Sequence, residues 1–253
     1  MTKITGGQAL IKSLRREGVR VIFGMPGVQI YHAMDAIYNE SGIRFITTRH
    51  EQGAAYMAYG YSAAGGGIGT AMVVPGPGLL NAAAAVGTAY ASSTPVLIIS
   101  GQIPSTLIGI NRGVLHEVDD QLDAIRPVTK WTSRITHADD VPATIHKAFH
   151  HLNTGRPRPV EIEIPQDTLE EVTEVELMDS GEYMLSSPNP TAIEESTRTL
   201  VAAKRPLIWV GGGAISSGAS TILQQVAEHL QAPVVSTPEG KGALSDHHYL
   251  SMG

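Results

Sequence analysis

Short, uninterrupted apolar runs recur along the first two thirds of this chain, and a longer run of helical character follows most of them. That alternation restricts the possible folds more than any other feature. Residues 19–23, 44–48, 69–74, 95–100 and 160–164 read as strands, and 28–39, 52–64 and 79–91 read as helices. The strands are apolar throughout instead of alternating with polar residues. Both faces of their sheet must therefore be covered, which predicts a doubly wound parallel α/β sheet with helices on each side.

A polar, acidic stretch without periodicity comes next. It carries Glu170, Glu171, Glu174, Glu176, Asp179 and Glu182, and runs into Ser186-Ser187-Pro188-Asn189-Pro190. Charge, Pro and Ser together predict a linker over 171–190. The βα pattern then restarts, with helices near 192–203 and 219–230 and strands at 206–210 and 233–236. The first domain is thus expected over 1–170. The second, 191–253, holds roughly two βα units and is expected to be an incomplete α/β domain.

Composition removes several function classes. Of 253 residues, 42 % are hydrophobic and 17 % charged, enough to bury a core. The net charge of −6 and the absence of a Lys/Arg cluster argue against a nucleic-acid partner. No cysteine is present, so disulfides, thiolate nucleophiles and Cys-ligated metals are excluded. No metal site is expected from histidine either. The pairs His150-His151 and His247-His248 lack ligand spacing, and no H-E-x-x-H occurs. Residues 79–100 are apolar but interrupted by Asn81, Thr88, Ser92, Ser93, Thr94 and Pro95. They read as a helix and a buried strand, not as a membrane span. Residues 1–7 lack an apolar signal core, so a soluble cytoplasmic protein without a membrane partner is expected.

Three turns stand out at the ends of successive strands: Gly24-Met25-Pro26-Gly27, Thr48-Arg49-His50-Glu51 and Pro75-Gly76-Pro77-Gly78. Open α/β sheets bind ligands at these strand ends, where helix N-termini present free N–H groups. Pro-Gly also makes tight turns for purely structural reasons. Glu51 carries the same ambiguity. Thr48-x-x-Glu51 fits a capping box, in which the Glu serves the helix cap. A lone carboxylate at a strand end can equally act as an acid at a fixed point. Pro26, Pro77 and Asn81 at the same edge favour the second role. Val210 to Gly218 follows a strand but lacks the G-x-G-x-x-G spacing of a dinucleotide site.

Four segments together resemble the pyrimidine-binding domain of thiamine diphosphate enzymes, in the acetolactate synthase, pyruvate oxidase and benzaldehyde lyase group. They are Phe23 to Gly27, Arg49 to Tyr61, Pro75 to Asn81, and Thr94 to Gly101. Arg126 to Trp131 and Arg156 to Pro165 extend the likeness, as do Pro206 to Gly213 and Lys241 to Leu244 beyond the expected linker.

The resemblance implies a thiamine diphosphate cofactor and a transferase or lyase that decarboxylates a 2-oxo acid and passes the acyl carbanion to a second carbonyl or a proton. It makes Glu51 the catalytic carboxylate, paired with N1′ of the cofactor's aminopyrimidine. That pairing drives the 4′-amine toward the imine that takes the thiazolium proton. Pro26, Gly27, Val74, Pro77 and Asn81 match cofactor-pocket positions. Gln29, His116 and Gln121 match substrate-pocket positions. Several details depart from the pattern. Val74-Pro75-Gly76-Pro77-Gly78 stands where acetolactate synthases carry Thr-Ser-Gly-Pro-Gly. Leu115-His116-Glu117 stands near their Phe-Gln-Glu, and Gln29 where some carboligases carry His. The substrate, a small 2-oxo acid or aldehyde, is therefore left open. The family binds Mg²⁺ and the diphosphate through a Gly-Asp-Gly domain, and no Gly-Asp-Gly occurs here. A missing C-terminal part or another chain is expected to supply that domain, within a homodimer or homotetramer. FAD, which some relatives hold in the middle domain, is not expected. Two rivals remain: a non-catalytic subunit of the same fold, and a nucleotide-binding module.

Overall fold

The computed structural model describes residues 2–183 and 187–253; residues 184–186, inside the expected linker, lie outside them. The chain divides into two units, Met1–Met184 and Leu185–Gly253.

In the first unit, strand pleating sorts the apolar residues onto two faces. The strands are β1 (Thr2–Thr5), β2 (Val21–Gly24), β3 (Arg44–Thr47), β4 (Gly69–Val73), β5 (Val96–Gln102), β6 (Trp131–Arg134), β7 (Val160–Pro165) and β8 (Val172–Val175). Six of them form one parallel sheet in the order β3-β2-β4-β5-β7-β6. Met72, Leu97, Ile99, Ile162 and Ile164 point to one face, under helices α1 (Gly6–Arg16), α2 (Tyr31–Asn39) and α6 (Val141–Asn153). Ala71, Val73, Val96 and Ile98 point to the other, under α3 (Glu51–Ala63), α4 (Pro77–Ala91) and the short α5 (Gln121–Ile125). The second face is lined by Ala54, Ala55, Ala58, Ala82, Ala85 and Ala89, small side chains that let α3 and α4 pack closely on the sheet.

The doubly wound parallel sheet is as expected, and its strand order locates a binding crevice. From β2 the chain steps outward to β3, then returns to place β4 on the opposite side of β2. The crevice outside the carboxyl ends of β2 and β4 is thus a topological switch point.

The stretch expected to be linker begins otherwise. After α7 (Gln166–Glu170), β8 pairs antiparallel with β1, Thr2 opposite Val175. Its alternation of exposed or half-buried residues with the buried Val175 is that of a two-stranded edge, and local acidity masks it.

The second unit holds α8 (Pro190–Ala202), β9 (Ile208–Val210), α9 (Gly212–Ser216), α10 (Ser220–Leu230) and β10 (Val234–Ser236). Its two strands pair in parallel over a small core of Val210, Ala227, Val234, Ala243, Leu244 and Leu250. Among the described residues no helix is long and apolar enough to cross a membrane.

Candidate active site

Two turns meet at the switch point. One follows β2 and contains Pro26 and Gly27; the other follows β4 and runs from Val74 to Gly78. A Cβ on Gly27 would lie 2.2 Å from Val74 Cγ1, so only glycine lets the turns touch there. Gly76 caps α4 with φ +54° and ψ −114°, a conformation open essentially to glycine alone, and Pro77 begins the helix with a preset φ. Pro26 and Pro77 are exposed, whereas Val74 is buried.

Glu51 enters from the neighbouring strand end. Its residue is 4 % exposed, and its Oε2 accepts a hydrogen bond of 3.0 Å from Asn81 Nδ2 on α4. Oε1 has no hydrogen-bond partner among the described residues, and a Cβ on Gly78 would sit 3.7 Å from it. No Lys, Arg or His pairs with this carboxylate among the described residues.

The capping-box pattern does not form. The N-cap of α3 is His50, whose Nδ1 accepts from Gln52 N at 3.1 Å. Glu51 is therefore the first helical residue, too early to reach back to a cap. Thr48 instead donates its hydroxyl to Gly24 O and His50 O, tying the end of β3 to β2. Helix geometry thus frees the Glu51 carboxylate from local work and turns it toward α4.

The remaining residues singled out in the sequence gather around the Gly76 turn. Gln121 is 1 % exposed, and its Oε1 accepts from Gly76 N at 2.7 Å. Its Nε2 donates to Gly101 O at 3.0 Å, to Ser100 Oγ at 2.9 Å and to Glu163 Oε2 at 2.9 Å. Every polar atom of this side chain is engaged, which makes it a brace for the turn and leaves it no free group for a ligand. Gln29 is 4 % exposed and links to His116, whose backbone O would be 2.3 Å from a Cβ on Gly76.

Behind Gln121 lies a buried polar layer that sequence reasoning passed over. Pleating puts Ser100 and Gln102 of β5 and Glu161 and Glu163 of β7 on the α4–α5 face. Glu163 is bound by Arg134, Gln121 and Gln102. Burial pushes its carboxyl above the usual range, with Arg134 opposing. Glu161 accepts from Ser100 Oγ at 2.6 Å, while its Oε2 has no partner among the described residues. Burial drives its carboxyl well above the ordinary value. The signal was visible as Val160-Glu161-Ile162-Glu163-Ile164, in which two carboxyls alternate along a strand that must be covered on both faces.

A cavity of about 240 Å³ lies at the opposite, amino ends of the strands, lined by Glu17, Arg20, Tyr61 and Tyr183 among others. Its acid is already paired: Glu17 binds His146 Nδ1 at 2.8 Å and Tyr183 Oη at 3.1 Å. The Gly211-Gly212-Gly213 run of the second unit opens only the five-residue helix α9.

Fold and geometry together describe a doubly wound α/β domain with one under-paired buried carboxylate, Glu51, at its switch point. Comparison with known proteins agrees. A model described as the thiamine pyrophosphate enzyme N-terminal TPP binding domain matches residues 4–124, and the central-domain model of the same enzymes matches 193–253. The acetolactate synthase large subunit of Haemophilus influenzae is 40 % identical over all of this chain and 45 % of its own length. The acetolactate synthase isozyme 3 large subunit of Escherichia coli is 35 % identical with the same coverage. A probable acetolactate synthase large subunit of Methanocaldococcus jannaschii is 37 % identical over 98 % of this chain and 42 % of its own. The two models together place this chain among the thiamine pyrophosphate enzymes; the relatives it resembles are acetolactate synthase large subunits, and it spans a little under half their length.

Proposed function

We propose that this chain provides the pyrimidine-binding half of a thiamine diphosphate-dependent enzyme of the acetolactate synthase type, acting on 2-oxo acids. The observation that carries the reading is Glu51: a carboxylate 4 % exposed whose one hydrogen bond among the described residues comes from a neutral amide. A buried charge so poorly compensated is costly unless a ligand brings a proton or a donor. Protonated ring nitrogen N1′ of an aminopyrimidine is such a donor.

The residues present fit that ring. Gly27 and Gly78 bring no side chain to the crevice, Val74 offers an apolar wall, and Asn81 orients the carboxylate. When bound, thiamine diphosphate supplies the carbanion chemistry by which a 2-oxo acid loses CO₂ and its acyl unit joins a second carbonyl or a proton. The protein's part is to hold a proton between Glu51 and N1′. Low local dielectric strengthens that charge-assisted bond. Mg²⁺ and the diphosphate belong, in this proposal, to a domain outside these 253 residues, brought by a homo-oligomer or a further segment.

The test measures CO₂ release from a panel of 2-oxo acids by the assembly that joins this chain to a diphosphate-binding domain. Turnover that requires thiamine diphosphate supports the reading. Turnover indifferent to the cofactor, or none with any 2-oxo acid, overturns it.

A further inference from the structure

Glu163 lies in the middle of a row of register partners near the carboxyl end of the sheet. Ser100 on β5 stands opposite it on one side and Arg134 on β6 on the other. The Glu163 side chain has no solvent exposure, while that of Arg134 keeps 28 %. Three N–H donors converge on the two Glu163 oxygens. Arg134 Nε donates to Oε1, and Gln121 Nε2 at 2.9 Å and Gln102 Nε2 at 3.2 Å donate to Oε2. A carboxylate, which only accepts, suits all three. An amide in its place has one oxygen and would set an N–H against either Arg134 or the glutamine pair.

The consequence falls on Gln121. Its amide has two orientations, and only one lets Oε1 accept from Gly76 N at 2.7 Å. In the other, Nε2 would meet the Gly76 N–H, and Oε1 would meet Gly101 O and Glu163 Oε2, which only accept. Gly101 O and Glu163 therefore share the task of holding Nε2 inward. Glu163 is the charged member of the two, so its bond is the stronger, and it ties the turn to β7 and β6. Donation to a carboxylate also polarises the Gln121 amide, which makes its oxygen a better acceptor for Gly76. The turn held in this way shapes the crevice. Val74 packs on Gly27 just before it, Gly78 lies beside Glu51 Oε1 just after it, and Asn81 donates to Glu51 from the helix that the turn opens.

We propose that Glu163 is a positioning residue for the crevice at Glu51, acting through Gln121 on the Gly76 turn, with Arg134 as the counter-ion that keeps both Glu163 oxygens accepting. The relay runs from a partly exposed cation on the last strand of the sheet, through a buried carboxylate and a buried amide, to the backbone N–H at the head of α4. For its ligand the inference rests on the thiamine diphosphate reading; the hydrogen bonds of the relay stand without it.

Two measurements test it. In this chain without cofactor, a scalar coupling across the hydrogen bond from Gly76 ¹⁵N to the Gln121 side-chain ¹³C carbonyl is expected, and its absence in the wild type overturns the relay. In Glu163→Gln that coupling should shrink and the Gly76 amide proton should move upfield; an unchanged Gly76 resonance overturns the role of Glu163. Where Glu163→Gln does not fold, Arg134→Gln, at a partly exposed side chain, makes the same comparison with the same expected direction. In the assembly bearing a diphosphate-binding domain, Glu163→Gln should raise the activation constant for thiamine diphosphate about 10-fold, with kcat at saturating cofactor changed by less than about 2-fold. The rise should disappear in a Gln121→Leu background, because the effect passes through that amide. Ile162→Val, a core change on the opposite face of β7, should lower stability and leave the activation constant where it was. An activation constant equal to wild type in Glu163→Gln, or raised equally by Ile162→Val, reduces Glu163 to a structural ion pair and overturns the proposal. If the wild-type assembly shows no thiamine diphosphate-dependent turnover, the functional reading itself fails, and the Gly76 spectra alone decide the relay.

Discussion

Asn81, one turn into α4, donates its side-chain amide to the carboxylate of Glu51, the first residue of α3, at 3.0 Å. Two helices that begin at different strand ends are thus joined through the group on which the proposed chemistry depends. The contact also explains the small residues between them: Gly78 approaches Glu51 closely, and the alanine-lined face lets α3 and α4 settle on one sheet surface.

Glu51→Gln keeps an oxygen for Asn81 and removes the buried charge. Thermal unfolding should shift by less than about 1 kcal/mol in either direction. Thiamine diphosphate-dependent turnover of the assembly should fall by about 100-fold or more. A variant that unfolds yet keeps its specific activity would show that the carboxylate serves structure alone.

Gly76→Ala should destabilise the first unit by about 3 kcal/mol. The native φ of +54° is strained for alanine, and the new Cβ would fall 2.3 Å from His116 O. Denaturant midpoints at constant m-value provide the measurement. A midpoint equal to wild type rejects the rigid-turn account.

Gln121→Leu leaves Gly76 N–H and Gly101 O without their partner and removes one donor to Glu163. We expect a loss of about 3 kcal/mol in chemical denaturation. Amide exchange at Gly76 should accelerate more than exchange in the centre of β4, because the brace acts on the turn. Uniform acceleration across the sheet would point to a general packing defect instead.

Glu161→Gln bears on pH. The native carboxyl titrates well above its unfolded value because it is buried, so the folded chain holds a proton that the unfolded chain has released. Its stabilising effect is whole below the unfolded carboxyl pKa and is lost as pH rises toward the native one. Over that window, stability should fall by up to about 1.4 kcal/mol per pH unit on account of this group. The variant keeps an acceptor for Ser100 and should lack that part of the slope. Parallel stability–pH curves for the two proteins would refute the assignment.

The alternation of apolar runs was enough to predict a parallel sheet covered on both faces, because only burial on both sides tolerates strands without polar positions. Gly-Pro turns at the strand ends marked the edge of the sheet where the candidate site lies, and Glu51 stood out as the carboxylate among them. Local pattern misled where tertiary contacts win. Thr48-x-x-Glu51 has capping spacing, but α3 starts two residues too late for it to close. The acidic run after 170 looked like linker, yet β8 finds its partner in β1, at the far end of the unit. The buried layer of Ser100, Gln121, Glu161 and Glu163, and the pairing of Gln29 with His116, join residues tens of positions apart. By itself the sequence determined the class of fold and singled out the sheet edge proposed to bind. Only the tertiary structure decided which polar groups meet there, because a hydrogen bond depends on where folded strands bring two side chains and leaves no trace in their spacing along the chain.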